Sequence, residues 1–445
     1  MQKDLKSKLQ DLVASGQVRL VPMTFPQREL WETSPVAPGD PSNHIRSFID
    51  LTGPLTFDMC REALCMVVAR QEVMRTSFLP GKDRPLQMIR AQAEPAIEYR
   101  EIDDPSAGDE EIIASMEEGF RRPFDLLRGP LYRLQMVRRG PDHNALGLTI
   151  HHAIADGWSV TSFVEDLYTA CISLWRASGK DMSRLSGMRD SLPPLPVTYS
   201  AWGAGERARW QPGEISGHAD YWRSRLGGSR PLFDVAGAVS DQLEKWDTSL
   251  PADLAEPARA TARREGVTLF STLLAAFRLA LHRWKGANDV VVGAPVAGRA
   301  KTSLRETMGY FSANVPLRSI IDSGAPFNRT LKNLHNQVVE DFARAMPFVE
   351  LAAAVENDAP RARHSVYDVR FGVHNHPFPG IEIPGMSSSL RSLSSGTSRF
   401  DIGCDLTEDG KRIILTWLRR PSAATRSDME ELDRLFRAVL SEVCR

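Results

Sequence analysis

Two adjacent histidines, His151 and His152, open the run His-His-Ala-Ile-Ala-Asp156-Gly157-Trp158-Ser159, the sharpest concentration of chemistry-bearing residues in this 445-residue chain. An imidazole with its ordinary pKa of ~6.5 is a suitable general base for an amine or hydroxyl at neutral pH. Successive residues at the end of a strand point to opposite sides, so one histidine can face a core and the other a cleft. Asp156 and Gly157 sit where a helix would start. There an aspartate caps the helix or pairs with a cation, and a glycine brings a backbone N–H close to a ligand. Three other readings use the same residues. A histidine pair satisfied by backbone groups in a core needs no ligand at all. A metal site of His151 or His152 with Asp156 lacks a third ligand nearby in sequence. A Ser-His-Asp triad lacks the G-x-S-x-G elbow that would present its serine.

The elements that must position this run are legible around it. Residues 145–150 read as a strand, 151–157 as a loop and 159–177 as a helix. In that helix Val160, Phe163, Val164, Leu167, Tyr168, Cys171, Leu174 and Trp175 recur at three- and four-residue spacing, a wide apolar stripe that faces a core. Upstream, 44–51 suits a strand and 57–69 a helix. The N-terminal residues carry charge throughout and read as an amphipathic helix with Leu5, Leu9, Leu12 and Val13 on one face. Residues 178–198 lose periodicity and collect Gly, Ser, Pro and charge, which marks a linker. Beyond it come a long polar helix with Trp202 and Trp210, a helix over 269–284, and an apolar strand over 290–292. Asp289 and Gly293 bound that strand, which is of the buried parallel type. A Ser- and Gly-rich stretch, 385–398, reads as a loop or crossover, and a last helix spans 427–443. Strands alternating with helices predict an α/β architecture.

Composition narrows the class. Hydrophobic residues make up 42% and charged residues 25%, ordinary globular values that exclude disorder and collagen. Fifty-five Lys and Arg against 56 Asp and Glu leave a net charge of −1, without the basic bias of a dedicated nucleic-acid binder. The five cysteines are odd in number, scattered, and form no C-x-x-C pair, so they make neither a zinc framework nor a disulfide scaffold. They read as thiols in a reducing compartment. No stretch reaches the ~18–20 apolar residues that span a bilayer, and the N-terminus lacks a signal peptide's apolar core. A cytoplasmic protein without membrane contact is the expectation.

The His151-His152 run after a strand resembles the His-His-x-x-x-Asp-Gly motif of the condensation domains of nonribosomal peptide synthetases, members of the chloramphenicol-acetyltransferase-like acyltransferases. Thr24-Phe-Pro-Gln27-Arg-Glu-Leu30-Trp31 resembles that family's first motif, S-x-A-Q-x-R-L-W. Arg70-Gln-Glu72-Val-Met-Arg75-Thr76-Ser-Phe78 is similar to its second, R-H-E-x-L-R-T-x-F. Val292-Gly-Ala-Pro-Val-Ala-Gly-Arg299 and Met308-Gly309-Tyr-Phe311-Ser-Ala-Asn314 resemble G-x-P-x-A-G-R and G-F-F-V-N-T. Met346-Pro347-Phe348 and Arg399-Phe400-Asp401 match the later landmarks P-F-E and K-F-D. The matches run in order from about residue 20 to 410. Three positions depart from the pattern. Glu29 stands in place of an arginine, Thr198 before Tyr199-Ser-Ala-Trp202 replaces an aspartate, and the His-Gln-Asp before Pro347 is absent.

The resemblance implies two chloramphenicol-acetyltransferase-like subdomains in a V-shaped pseudodimer with a central tunnel. The expected division is an N-terminal helix over 1–19, one subdomain over 20–180, a linker over 181–198 and the second subdomain over 199–445. It implies transfer of an acyl or aminoacyl group from the phosphopantetheine thioester of a peptidyl or acyl carrier protein to a small-molecule or carrier-bound acceptor. His152 would be the general base, or would orient the nucleophile, and Gly157 would offer its N–H to an oxyanion. His151, Asp156 and Arg299 would be structural, with Asp156 paired to Arg299. Trp158, Ser159, Asn314 and Ser398 would line the tunnel. No metal and no cofactor beyond the partner's phosphopantetheine is implied, and the chain is expected to be a free-standing monomer. Two rivals keep the fold: an acyl-CoA-dependent O- or N-acyltransferase, and a non-catalytic carrier-protein binding module.

Overall fold

The computed structural model describes residues 2–33, 43–79, 85–102, 106–177, 192–233, 243–322, 324–355, 366–374, 382–383, 386–394, 400–409 and 412–444. The first half runs α1 (Gln2–Ala14), β1 (Val18–Pro22), α2 (Phe25–Thr33), β2 (His44–Thr52), α3 (Phe57–Arg70), β3 (Thr76–Leu79), β4 (Leu86–Arg90), β5 (Ile97–Glu101), α4 (Asp109–Arg121), β6 (Tyr132–Gly140), β7 (His143–His151) and α5 (Gly157–Ala177). Next come α6 (Tyr199–Arg209), α7 (Pro212–Leu226), β8 (Glu244–Leu250), α8 (Ala252–Glu265), α9 (Leu269–Lys285), β9 (Asp289–Val296), β10 (Ala313–Ile320), α10 (Phe327–Ala343) and α11 (Phe348–Ala354). The chain ends with β11 (Val369–His374), β12 (Glu382–Ile383), β13 (Met386–Leu393), β14 (Ile402–Asp409), β15 (Arg412–Arg419) and α12 (Arg426–Val443). The fold is mixed α/β. It divides into two compact units, Met1–Arg209 with Ala297–Ser312 and Phe378–Ser395, and Trp210–Val296 with Ala313–Pro377 and Gly396–Arg445. Two late segments, 297–312 and 378–395, thus group with the first unit.

The first unit is built on a six-stranded sheet in the order β12-β13-β2-β7-β6-β5. The two-residue period of its strands sorts side chains between two layers. Ile49, Leu51, Leu146, Leu148 and Ile150 join α3 and α5 in one core, whereas Phe48, Val137 and Ala145 join Ile112, Met116 and Phe120 of α4 in another. A Cβ on Gly147 would lie 2.7 Å from the Met116 Sδ, so glycine is what lets α4 close on the sheet. The stripe read from 159–177 is buried along α5 through Val160, Phe163, Val164, Leu167, Tyr168, Cys171 and Trp175. Fully burying such side chains stabilises by roughly 1.5–3 kcal/mol each, which makes α5 a rigid mount for whatever its first turn carries.

The second unit carries a six-stranded sheet in the order β10-β9-β11-β14-β15-β8. Phe277 of α9 stacks on Phe371 of β11 with centroids 4.9 Å apart, and Trp417 and Phe436 close the same aromatic core. Strand β9 is longer than the expected 290–292. It pairs parallel with β11, as its apolar run predicts, and antiparallel with β10.

Four expectations need correction. Helix α1 stops at Ala14, short of residue 19, because Gly16 turns the chain at a φ of 72° and the β-branched Val18 and Val21 enter strand β1. Its expected apolar face is not fully covered, since Leu12 and Val13 stay exposed. The single helix drawn through Trp202 and Trp210 is interrupted: α6 ends at Arg209, Trp210 lies outside both helices, and Pro212 starts α7 in its first turn. The expected loop over 385–398 contains β13, which pairs antiparallel with β2 from Ser387 opposite Thr52 to Leu393 opposite Arg46. Met386, Ser388 and Leu390 turn inward in that strand while the serines between them stay exposed, a two-residue period that the Ser-rich composition obscured.

Candidate functional site

Strand β7 delivers the histidine pair. His151 is its last residue, opposite His44 of β2. The His151 ring is buried, 6.2 Å from both His44 and Phe124, and its Nδ1 accepts the Ala153 N–H at 3.1 Å. His152 starts a single 3₁₀ turn, His152–Ile154, where the sequence suggested an irregular loop. His152 is half-buried, and its ring stands edge-to-face with Tyr310 at a centroid distance of 4.7 Å. Gln27, from the first matched motif, holds the turn by donating from Nε2 to the Ala153 carbonyl at 2.9 Å.

Asp156 caps α5 with one carboxylate oxygen and holds an arginine with the other. Its Oδ1 accepts the Ser159 N–H at 3.0 Å and the Ser159 hydroxyl at 2.9 Å, while Ser159 Oγ accepts the Asp156 N–H at 3.3 Å. Its Oδ2 accepts Arg299 Nη1 at 2.6 Å and the Phe311 N–H at 3.1 Å. Both side chains of the ion pair are 1% exposed. Arg299 also donates to Ser159 Oγ at 3.1 Å and to the Thr307 carbonyl at 3.3 Å, and its guanidinium lies 4.1 Å from the Phe311 ring centroid. Gly298 makes this approach possible. Its φ is 66°, and a Cβ there would collide with the Phe311 carbonyl. Asp156 and Arg299 are therefore paired, as the resemblance implied.

At the start of α5, Gly157 is exposed and a Cβ added to it would meet nothing within 4 Å. The first N–H groups of a helix have no partner within the helix and carry its positive dipole end. Gly157 is the first residue of α5, on the loop that carries His152. Trp158 is half-buried and pinned, its Nε1 donating to the Arg305 carbonyl at 2.9 Å. Ser159 does not line an open passage. It is fully buried, since the third helical position turns its hydroxyl back onto Asp156, and its Oγ also lies 2.9 Å from the Gly309 carbonyl. Asn314 lies on β10 of the second unit, opposite Pro295. Ser398 falls outside the described residues.

The segment 297–312 is bolted to the first unit by the second matched motif. Arg70 donates to Asp166 at 2.6 Å and to Glu306 at 2.5 Å, and Gln71 Oε1 accepts the Met308 N–H at 3.0 Å. Glu72 accepts the Ser200 N–H at 2.6 Å. The Tyr199 hydroxyl joins Thr24 to the Tyr310 carbonyl, at 2.8 and 2.7 Å, and burial pushes its phenol well above the usual tyrosine range. Thr198 makes the departure from aspartate intelligible, because its Oγ1 accepts the Ala201 N–H at 3.3 Å at the start of α6, a capping task open to either residue. Gln27, Gln71 and Tyr310 also hold the site, and the signal for each in the sequence is its place inside a matched motif. Among the described residues no three His, Cys, Asp or Glu side chains gather as a metal-holding group, and no helix is long and apolar enough to cross a membrane.

Comparison with known proteins places this arrangement. A sequence model described as "Condensation domain" matches residues 17–444. The phosphinothricin tripeptide synthetase PhsC of Streptomyces viridochromogenes is 31% identical over 361 residues, covering 79% of this chain and 32% of that protein. The chain spans a third or less of the length of the curated relatives it matches. Among solved structures, the X-domain from teicoplanin biosynthesis is similar with a TM-score of 0.82 and 21% identity, over 96% of this chain and 95% of that one. The first condensation domain of the CDA synthetase is similar with a TM-score of 0.73 and 21% identity, over 96% of each chain.

Proposed function

The chain belongs to the condensation-domain family, and from that premise we propose that it transfers an acyl or aminoacyl group from the phosphopantetheine thioester of a carrier protein to an amine or alcohol. The product is an amide or an ester. The observation that carries this reading is the placement of His152. It is half-buried just past a strand end, on a loop whose other end opens α5 at the exposed Gly157. His152 takes the proton of the attacking amine or hydroxyl as the new C–N or C–O bond forms. The C–S bond then breaks, and the thiolate recovers that proton from the imidazolium. The Gly157 N–H stabilises the oxyanion between the two steps. Since the thioester is already activated, holding both reactants in register supplies most of the acceleration, roughly 7–11 kcal/mol for well-oriented pairs. Proton transfer by His152 adds typically ~10²–10⁴-fold. Asp156 and Arg299 hold the loop and take no part in the chemistry.

The test is product formation by the purified chain from an acyl-carrier thioester and a nucleophile, without added metal. His152→Ala is expected to lower turnover by about two to four decades with little change in thermal midpoint. Binding to the carrier is expected to weaken as salt rises, if docking is electrostatically steered. Equal use of acyl-CoA would favour the CoA-dependent acyltransferase. Carrier binding with no turnover in parent and variant alike would favour the binding module.

A further inference from the structure

The backbone of residues 309–311 is tied down at each step. The Gly309 N–H donates to Ser159 Oγ at 3.0 Å, the Tyr310 carbonyl accepts the Tyr199 hydroxyl at 2.7 Å, and the Phe311 N–H donates to Asp156 Oδ2 at 3.1 Å. A Cβ on Gly309 would run into the Tyr199 ring, so only glycine fits against that ring. The Tyr310 ring carried by this backbone is itself 4% exposed. On the opposite side, the backbone of His152 is set by the 3₁₀ turn that Gln27 anchors. Both backbones are thus held by named hydrogen bonds. The Tyr310 ring stands against it at 4.7 Å between centroids and 62° between planes.

We propose that Tyr310 is a positioning residue, whose aromatic ring holds the His152 imidazole in the orientation that meets the nucleophile. This rests on the reading of His152 as the base. The ring, rather than the hydroxyl, does the holding, because the edge-to-face arrangement is a property of the ring pair. A nucleophile must meet the base within hydrogen-bond reach, and a rotating imidazole spends most of its time elsewhere. Edge-to-face pairs of this kind correspond to about a two- to tenfold change in a rate that depends on them.

In the parent protein, with histidine and tyrosine selectively labelled, an NMR cross-peak is expected between the His152 and Tyr310 ring protons. Its absence overturns the proposal whatever the variants do. Tyr310→Leu and Tyr310→Met, checked for folding by thermal melts, are expected to lower kcat about two- to tenfold with KM for the acyl thioester nearly unchanged. The His152 ring resonances should move in the same variants, and Tyr310→Phe should restore both the resonance positions and most of the rate. A variant that melts lower but keeps the parental kcat and His152 resonances would make Tyr310 a packing residue only and overturn the proposal. The proposed function fails separately, if His152→Ala turns over like the parent, and the cross-peak still reads the ring geometry in that case.

Discussion

Replacing Asp156 by alanine removes the partner of a cation from which water is excluded. In the parent, Arg299 meets the Asp156 carboxylate at 2.6 Å with both side chains 1% exposed, and the same carboxylate accepts the backbone N–H groups of Ser159 and Phe311. After the substitution, Arg299 keeps the Ser159 hydroxyl and the Thr307 carbonyl, which are neutral dipoles. Breaking a buried pair from one side costs about 3–5 kcal/mol, mostly for the charge left behind. At about 2–4 °C per kcal/mol for units of 150–250 residues, the midpoint for loss of the first unit should fall by about 6–20 °C. Part of that loss is the helix cap, typically ~1 kcal/mol. Asp156→Asn keeps an oxygen for the cap and should recover about that share. Circular dichroism and calorimetry read the midpoints, and a double-mutant cycle isolates the pair. Asp156→Leu with Arg299→Met together should cost less than the sum of the two single changes, because neither charge is stranded. A parental midpoint for Asp156→Ala, or strict additivity in the cycle, would refute the claim that the pair holds the loop. A selective loss of turnover at full stability would instead make Asp156 a participant in the chemistry.

Three further outcomes follow from neighbouring geometry. Gly298→Ala should be strongly destabilising, because the new methyl meets the Phe311 carbonyl at a positive φ, whereas Gly157→Ala should leave the thermal midpoint near the parent's, because its methyl meets nothing within 4 Å; equal melting losses in the two variants would contradict this. Burial pushes the Cys60 thiol up to about 12 and the Cys171 and Cys404 thiols well above their ordinary value. These thiols keep their protons in the folded chain while the unfolded chain loses them from about pH 9. Their stabilisation is therefore complete below that pH and is lost toward pH 12, at up to about 1.4 kcal/mol per unit for each thiol. Denaturant midpoints across that range check it, and native alkylation at pH 8.5 should reach the half-buried Cys65 well before those three. Arg70→Met should strand the buried Asp166 and free Glu306, lowering stability and loosening the 297–312 segment, which hydrogen exchange at Met308 and Gly309 would report.

What the sequence makes legible is what lies close in the chain. The strand before His151, the cap at Asp156 and the apolar stripe of α5 are all encoded within about 30 residues, and two- and three-to-four-residue periods describe them fully. The pairing of Asp156 with Arg299 spans 143 residues and was reachable only through the resemblance of Val292 to Arg299 to a known motif. The contacts of Gln71 with Met308 and of Glu72 with Ser200 are also long-range, and no local pattern announces them. Strand β13 stayed hidden for a related reason. Its serines alternate with Met386 and Leu390 weakly, and its strand character comes from the backbone edge that β2 offers, a tertiary fact.

Ser159 shows how that limit shapes the reading of a site. By position it is a polar residue two places after the glycine of the motif, which suits a passage lined with hydroxyls. By geometry, its hydroxyl is shared among Asp156, Arg299 and both polar groups of Gly309. A side chain with one donor and two acceptor positions has little left for a ligand after those contacts. The polar residues of the motif therefore divide by burial. Asp156 and Ser159 spend their hydrogen bonds holding 297–312 against the loop, whereas His152 is half-buried and Gly157 exposed. With Tyr310 orienting His152 as proposed, changes at Arg70 or Gln71, whose hydrogen bonds reach Glu306 and Met308, should lower kcat and move the His152 ring resonances together; a lower kcat with parental resonances would refute that route.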